Sequence, residues 1–281
     1  MNLHTITDTV SVTKKKKKSK KKLSYKKLLL AGLFILVLFI LTPTVYSKVR
    51  FLIKYGFYTE AMQRDNLAVF GVVLPKGYNI HGIDISHHQK EVDWENIATI
   101  NVNGNCIKFA FIKATEGITR QDLHYQSNWK KSKEAGLIRG AYHYYYPTRD
   151  AKKQADNFIH EVKLSEGDLP PVLDIELSKG KSKQDIVKGA LEWCDAIEEH
   201  YGVKPIIYTN PVFYDKYLKD DFEDYPLWIA HYYEEKPKMQ HREWIFWQHT
   251  DCAIINGIDK PVDLNVFNGD IEDLNDLCLQ K

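Results

Sequence analysis

Asp174 and Glu176 stand two residues apart inside the apolar stretch Val172-Leu173-Asp174-Ile175-Glu176-Leu177. In an extended strand alternate side chains share a face and each residue rises about 3.3 Å, so the Cα atoms lie roughly 6–7 Å apart with both carboxyls on one side. Two like charges on one buried face repel, and the repulsion leaves one of them protonated near neutral pH. An acid beside a carboxylate is equipment for general acid catalysis with a partner that stabilises positive charge. An isolated Asp-x-Glu is more often solvated or salt-bridged. The apolar flanks of this one make burial, and therefore use, the better account.

The elements that must hold such a pair can be read from the chain's rhythm. Strand-like runs occur at 81–86 (HGIDIS), 108–113 (KFAFIK), 138–145 (IRGAYHYY), 171–176 (PVLDIE), 204–209 (KPIIYT), 227–231 (LWIAH), 244–248 (WIFWQ) and 262–267 (VDLNVF). One polar residue marks each: Asp84, Lys113, His143, Asp174, Tyr208, His231, Gln248 and Asp263. The first four gaps, 29, 30, 31 and 34 residues, suit a strand, a crossover helix and a parallel return. Helical material sits in the last three of these at 122–135, 148–162 and 182–200, the last opening with the capping pattern Ser182-x-x-Asp185 and stopping at Gly202. The last gaps, 23, 17 and 15 residues, leave little room for helix. The expected fold is α/β: an irregular, TIM-like (β/α) barrel with regular βα units first and short, partly antiparallel strands at the end. Barrels of this kind place their chemistry at the C-terminal strand ends, which gathers Asp84, Asp174, Glu176 and Asp263 into one site.

The eight runs, taken in order, resemble glycoside hydrolase family 25, the Chalaropsis-type lysozymes. HGIDISHH, FAFIKATEG, AGLIRGAYHYYYPT, LPPVLDIE, KPIIYTN, PLWIAHY, WIFWQHT and VDLNVFNG carry the resemblance, from His81 to near Asp273. It implies an N-acetylmuramidase that cleaves the β-1,4 bond between N-acetylmuramic acid and N-acetylglucosamine in peptidoglycan. The family's Asp in its opening strand falls on Asp84, its Asp-x-Glu pair on Asp174 and Glu176, and its late Asp on Asp263. Glycoside hydrolysis needs an acid for the leaving oxygen and a group that stabilises an oxocarbenium-like centre. Glu176, with the longer arm, is the expected acid. Asp174 then either attacks the anomeric carbon or orients the substrate's acetamido group to do so, both with retention. Asp84 and Asp263 form a supporting ring.

Among the aromatics Tyr142, Tyr144, Tyr145, Tyr208, Trp228, Tyr232 and Trp247, about half must face the core under period-2 alternation. Tyr145, Tyr208 and Tyr232, nearest the strand ends, and Gln248 are the expected substrate-binding residues. Lys113 with Glu116 reads as an ion pair beneath the site, and His143 as a hydrogen-bonded groove residue. His87-His88 lacks further ligands at metal spacing, so neither metal nor cofactor is expected. Cys106, Cys194, Cys252 and Cys278 read as small buried hydrophobes.

Charge is segregated. Residues 1–54 hold thirteen of the chain's 39 Lys and Arg against one of its 37 acids, so the remainder is acidic by ten. An acidic folded part argues against nucleic acid as a partner. The run 28–41 (LLLAGLFILVLFIL) follows KKKKKSKKK and Lys26-Lys27, and apolar character extends tolerably to Tyr46. This is the pattern of a signal anchor with a cytoplasmic N-terminus, or of a cleaved signal peptide and a secreted enzyme. The resulting division is a basic tail 1–27, a membrane segment 28–46, a connector 47–79 and a catalytic domain 80–281. The expected partners are peptidoglycan glycan strands and the membrane. A non-catalytic glycan-binding protein and a hydrolase of chitin-like polymers are the alternatives.

Overall fold

Each of the eight strand-like runs forms a strand. In the computed structural model, which describes residues 64–280 apart from 103, 240 and 241, these are β1 (Ile80–Ile85), β3 (Asn105–Glu116), β5 (Ile138–Tyr144), β6 (Val172–Asp174), β7 (Ile206–Thr209), β8 (Leu227–Ala230), β9 (Phe246–Ala253) and β10 (Val262–Phe267). Two short strands, β2 (Asn101–Val102) and β4 (Arg120–Gln121), are added to the flanks of β3. Pairing runs β1–β3–β5–β6–β7–β8–β9 in parallel, then β9–β10 and β10–β1 antiparallel, which closes the barrel. Both antiparallel seams involve β10, where the chain is too short between strands for a crossover helix.

Three helices lie where the long gaps predict them: α3 (Tyr125–Glu134), α4 (Ala151–Glu161) and α5 (Lys183–Tyr201). Ser182 caps α5 by accepting from the Asp185 amide, and Gly202 ends it in the left-handed region at φ 71°. Helix α4 starts three residues later than the sequence suggests because Asp150, not Thr148, supplies the cap. Four further segments lack a strong sequence signal: α1 (Arg64–Phe70), α2 (Trp94–Thr99), α6 (Pro211–Phe213) running into a π-helical turn at Tyr214–Leu218, and α7 (Ile271–Leu277).

Strand alternation makes two cores. Outward residues such as Ile83, Ile112, Leu173, Ile175 and Ile207 pack with Phe158, Trp193 and Ile197 of the helical layer. Inward residues fill the barrel: Phe109, Phe111, Val172, Ile206, Trp228, Phe246 and Phe267. The Phe111 ring stacks on Trp228 at 4.2 Å between centroids. Two inward positions must be glycine. A Cβ on Gly82 would lie 2.3 Å from the Phe109 ring, and one on Gly140 would lie 2.5 Å from Phe111. The plug of large rings stops polar side chains from descending, so the polar inward residues collect at the open, C-terminal end.

The expected basic tail, the membrane segment and the first part of the connector lie outside the described residues. Among the described residues no helix is long and apolar enough to cross a membrane. The last part of the expected connector packs on the barrel. Phe70, Val72 and Leu74 are buried in the outer core, Ile254 N donates to Phe70 O at 3.0 Å, and Cys106 N donates to Asn79 O at 3.0 Å.

Candidate active site

The inward-facing positions at the C-terminal strand ends bring four acids together. Asp84, the penultimate residue of β1, sits directly across the antiparallel seam from Asp263 of β10. Asp174 ends β6, and Glu176 follows it on the same side, half-buried where Asp174 is buried.

Asp84 is held by a ring of neutral donors. Its Oδ2 accepts from Gln248 Nε2 at 2.7 Å and from Asn265 Nδ2 at 2.8 Å. The amides are themselves fixed: Gln248 Oε1 accepts from the hydroxyls of Tyr208 (2.7 Å) and Tyr232 (2.8 Å), and Asn265 Oδ1 accepts from Trp228 Nε1 (2.8 Å). Burial pushes the Asp84 carboxyl up to about 6, and its hydrogen bonds from Asn265, Gln248 and Asp263 limit the rise. Burial, then the Asp84 charge, push Asp263 well above the carboxylate range. At neutral pH Asp263 therefore keeps its proton and donates to an ionised Asp84.

The Asp174–Glu176 pair has the opposite character. Asp174 Oδ1 is buried and has no partner among the described residues, so one acceptor faces the site unused. Burial, then the charge of Glu176, push Asp174 well up. Burial also raises Glu176, opposed by the Tyr144 hydroxyl, which donates to it, and by the Lys113 ammonium. Burial is thus the larger cause, where the sequence alone pointed to mutual repulsion. The pair still retains a proton near neutrality, as general acid chemistry requires.

Tyr208, Tyr232 and Gln248 all reach the site, the tyrosines through their hydroxyls. Tyr145 does not, against the expectation that it binds substrate. It points outward, only 2% exposed, with its hydroxyl against α5 where a Cβ on Gly189 would be 2.5 Å away. The groove residue is its neighbour Tyr144. His143 also faces outward: it contacts Thr115 Oγ1 at 2.7 Å and Gln154 Oε1 at 3.3 Å, stacks on Trp193, and burial lowers it to about 3. The Lys113–Glu116 pair exists, Nζ to Oε2 2.7 Å, but stands at the open end rather than beneath the site. The pair lines a small open cleft of about 30 Å³ together with His87, Arg120 and Asp122. His87 Nδ1 lies 2.9 Å from Asp122 Oδ2. Among the described residues no group of three or more His, Cys, Asp or Glu could hold a metal ion.

The sequence offered Tyr144 among the candidate aromatics but its place near the strand end favoured Tyr145, and it gave no notice of Asn265. Parity could have found both, because Gly140, Tyr142 and Tyr144 alternate inward on β5, as do Asp263, Asn265 and Phe267 on β10.

Comparisons with known proteins agree with this geometry. Residues 83–258 match the family model described as glycosyl hydrolases family 25. The chain is 45% identical over 205 residues to the Escherichia coli K12 protein YegX, described as uncharacterised, covering 73% of this chain and 75% of that one. It is 31% identical over 187 residues to the autolytic lysozyme of Clostridium acetobutylicum, covering 66% of this chain and 55% of that one. A solved family 25 glycosyl hydrolase from Bacillus anthracis superposes with a TM-score of 0.67 at 33% identity, covering 73% of this chain and 95% of that one.

Proposed function

The chain belongs to glycosyl hydrolase family 25 and is a peptidoglycan hydrolase, and we propose that it acts as a muramidase with Glu176 as general acid and Asp174 as its partner. The observation that carries this reading is the buried, unpartnered Asp174 Oδ1 beside Glu176, whose carboxyl burial raises, at the open end of the barrel. Glu176 protonates the oxygen linking N-acetylmuramic acid to N-acetylglucosamine. Asp174 Oδ1 accepts the N–H of the acetamido group, whose carbonyl oxygen attacks the anomeric carbon as the C–O bond breaks. Glu176, now a carboxylate, takes a proton from water, and that water opens the cyclic intermediate at the same carbon with net retention. Asp84, neutral Asp263, Gln248 and Asn265 hold sugar hydroxyls and fix the local charge, with Tyr208 and Tyr232 orienting Gln248.

The N-terminal sequence supports an extension of this reading. Residues 28–46 act as a signal anchor with the lysine-rich tail in the cytoplasm, so that the catalytic domain works on wall outside the membrane.

Purified peptidoglycan treated with the full chain, then reduced and analysed by mass spectrometry, tests the activity. New muramic acid reducing ends are expected, falling about 10³-fold with Glu176→Gln. New N-acetylglucosamine ends, or equal products from the variant, would overturn the bond or the acid assigned.

A further inference from the structure

We propose that Lys113 is a positioning residue for the reaction: its ammonium, tethered by Glu116 and seated on the Tyr144 ring, sets the electrostatic environment of the Asp174–Glu176 pair and with it the pH range of activity. The inference rests on that pair being the working acid and its partner.

The geometry begins with strand parity. Phe109, Phe111 and Lys113 alternate inward along β3; the first two fill the barrel, and Lys113 emerges above them at its rim. A register shift between Lys113 and Thr115 follows at once, in the pairing with β5. It lets Glu116 turn back onto Lys113 only three residues on, Nζ to Oε2 2.7 Å, each side chain 13% exposed. Glu116 Oε1 also accepts from Tyr146 OH at 2.9 Å and from Arg120 Nη1 at 3.4 Å, so the tether is itself anchored. The ammonium lies 4.8 Å from the centroid of Tyr144, whose hydroxyl donates to Glu176. Lys113 is therefore coupled to Glu176 through a ring that it holds in place.

Other charges face this cluster from neighbouring elements. Asp84 approaches from β1, His87 and His88 from the loop after it, and Arg120 and Asp122 from β4 and its exit. Asp122 is taken up by His87, and Arg120 leans on Glu116. Asp84 and Glu116 push Asp174 up; Lys113 opposes the rise in both Asp174 and Glu176. Removing the cation therefore leaves both carboxyls holding protons to higher pH, and the whole bell-shaped profile moves upward. Removing Glu116 deletes an anion that raises Asp174 and frees the ammonium, so the acid limb moves down.

The test is kcat/KM against pH between 4 and 9, on solubilised glycan strands, for the full chain and its Lys113→Met, Lys113→Arg, Glu116→Gln and Glu176→Gln variants. Lys113→Met is expected to move both limbs up by about one pH unit, the size of one partly screened charge at this range. Glu116→Gln moves the acid limb down, and Lys113→Arg stays close to the parent profile. Slower turnover with unmoved profiles in both Lys113→Met and Glu116→Gln would reduce these residues to structural support and overturn the inference. If Lys113→Met does not fold, the direction of the Glu116→Gln shift decides. A Glu176→Gln variant as active as the parent would instead sink the acid assignment itself, and the Lys113 inference with it.

Discussion

Asp84 and Asp263 face each other across the β1–β10 seam as an ionised and a neutral carboxyl, an arrangement that costs stability to keep. The sign follows from the folded value of Asp84, raised to about 6. Its stability contribution is complete below the ordinary carboxylate range and is lost as pH climbs through about 6. Asp263→Asn supplies a permanent amide donor to the Asp84 carboxylate and removes the shared proton. Calorimetry should show the variant gaining on the parent between pH 5 and 8, by on the order of 2 kcal/mol, while its activity falls. The buried histidines, His81 lowered to about 4 among them, titrate alike in both proteins and cancel from the comparison. A variant less stable than the parent at pH 8 would show that Asp263 is not the proton holder. Asp174, by contrast, keeps an unpaired oxygen for substrate, so at this site both pairs hold groups that folding alone would not select.

At the scale of elements, the barrel depends on where the rings sit. Phe109 packs 5.7 Å from Phe111 and 5.0 Å from Phe246 between centroids, leaving it no space to retreat from a new methyl group on β1. Gly82→Ala should therefore destabilise the domain by about 2–3 kcal/mol in urea melts, and Phe109→Leu in the same chain should restore part of that loss. Additive losses in the double variant would mean that the strain lies elsewhere. The same plug explains why β3, the longest strand, carries Lys113 at its open end: below that level there is no room for an ammonium.

Viewed whole, the protein pairs an acidic part with a basic N-terminal segment that precedes an apolar run. An acidic enzyme gains no electrostatic help on a polyanionic wall, so the anchor is the proposed means of localisation. Cell fractionation of the full chain against a version lacking residues 1–46 checks this. The full chain is expected with membranes after alkaline washing and the truncated one, given a cleavable export signal, in the soluble exported fraction. Recovery of the full chain as a shorter soluble exported product would establish the cleaved signal instead. Burial of Phe70, Val72 and Leu74 against the barrel means that any truncation past about residue 70 should also lower thermal stability.

By itself the sequence determined the strand order, the three crossover helices, the closed α/β barrel and the four acids, because these follow from local periodicity, turn chemistry and spacing. Ser182 and Gly202 bracket α5 as written, but of the three short final gaps only the last leads to an antiparallel strand, since β7–β8 and β8–β9 pair in parallel. The tertiary structure decided what depends on which face a residue takes and who meets it there. It turned Tyr145 and His143 outward and Tyr144 inward, a one-residue difference that strand ends alone do not reveal but parity from Gly140 does. It brought Asn265, Gln248, Tyr208 and Tyr232 around Asp84 from four separate segments, and Lys113 to the rim beside Glu176. Contacts of that kind form only when distant strands close into a barrel, so parity marks which face a residue takes but not the partner it meets there.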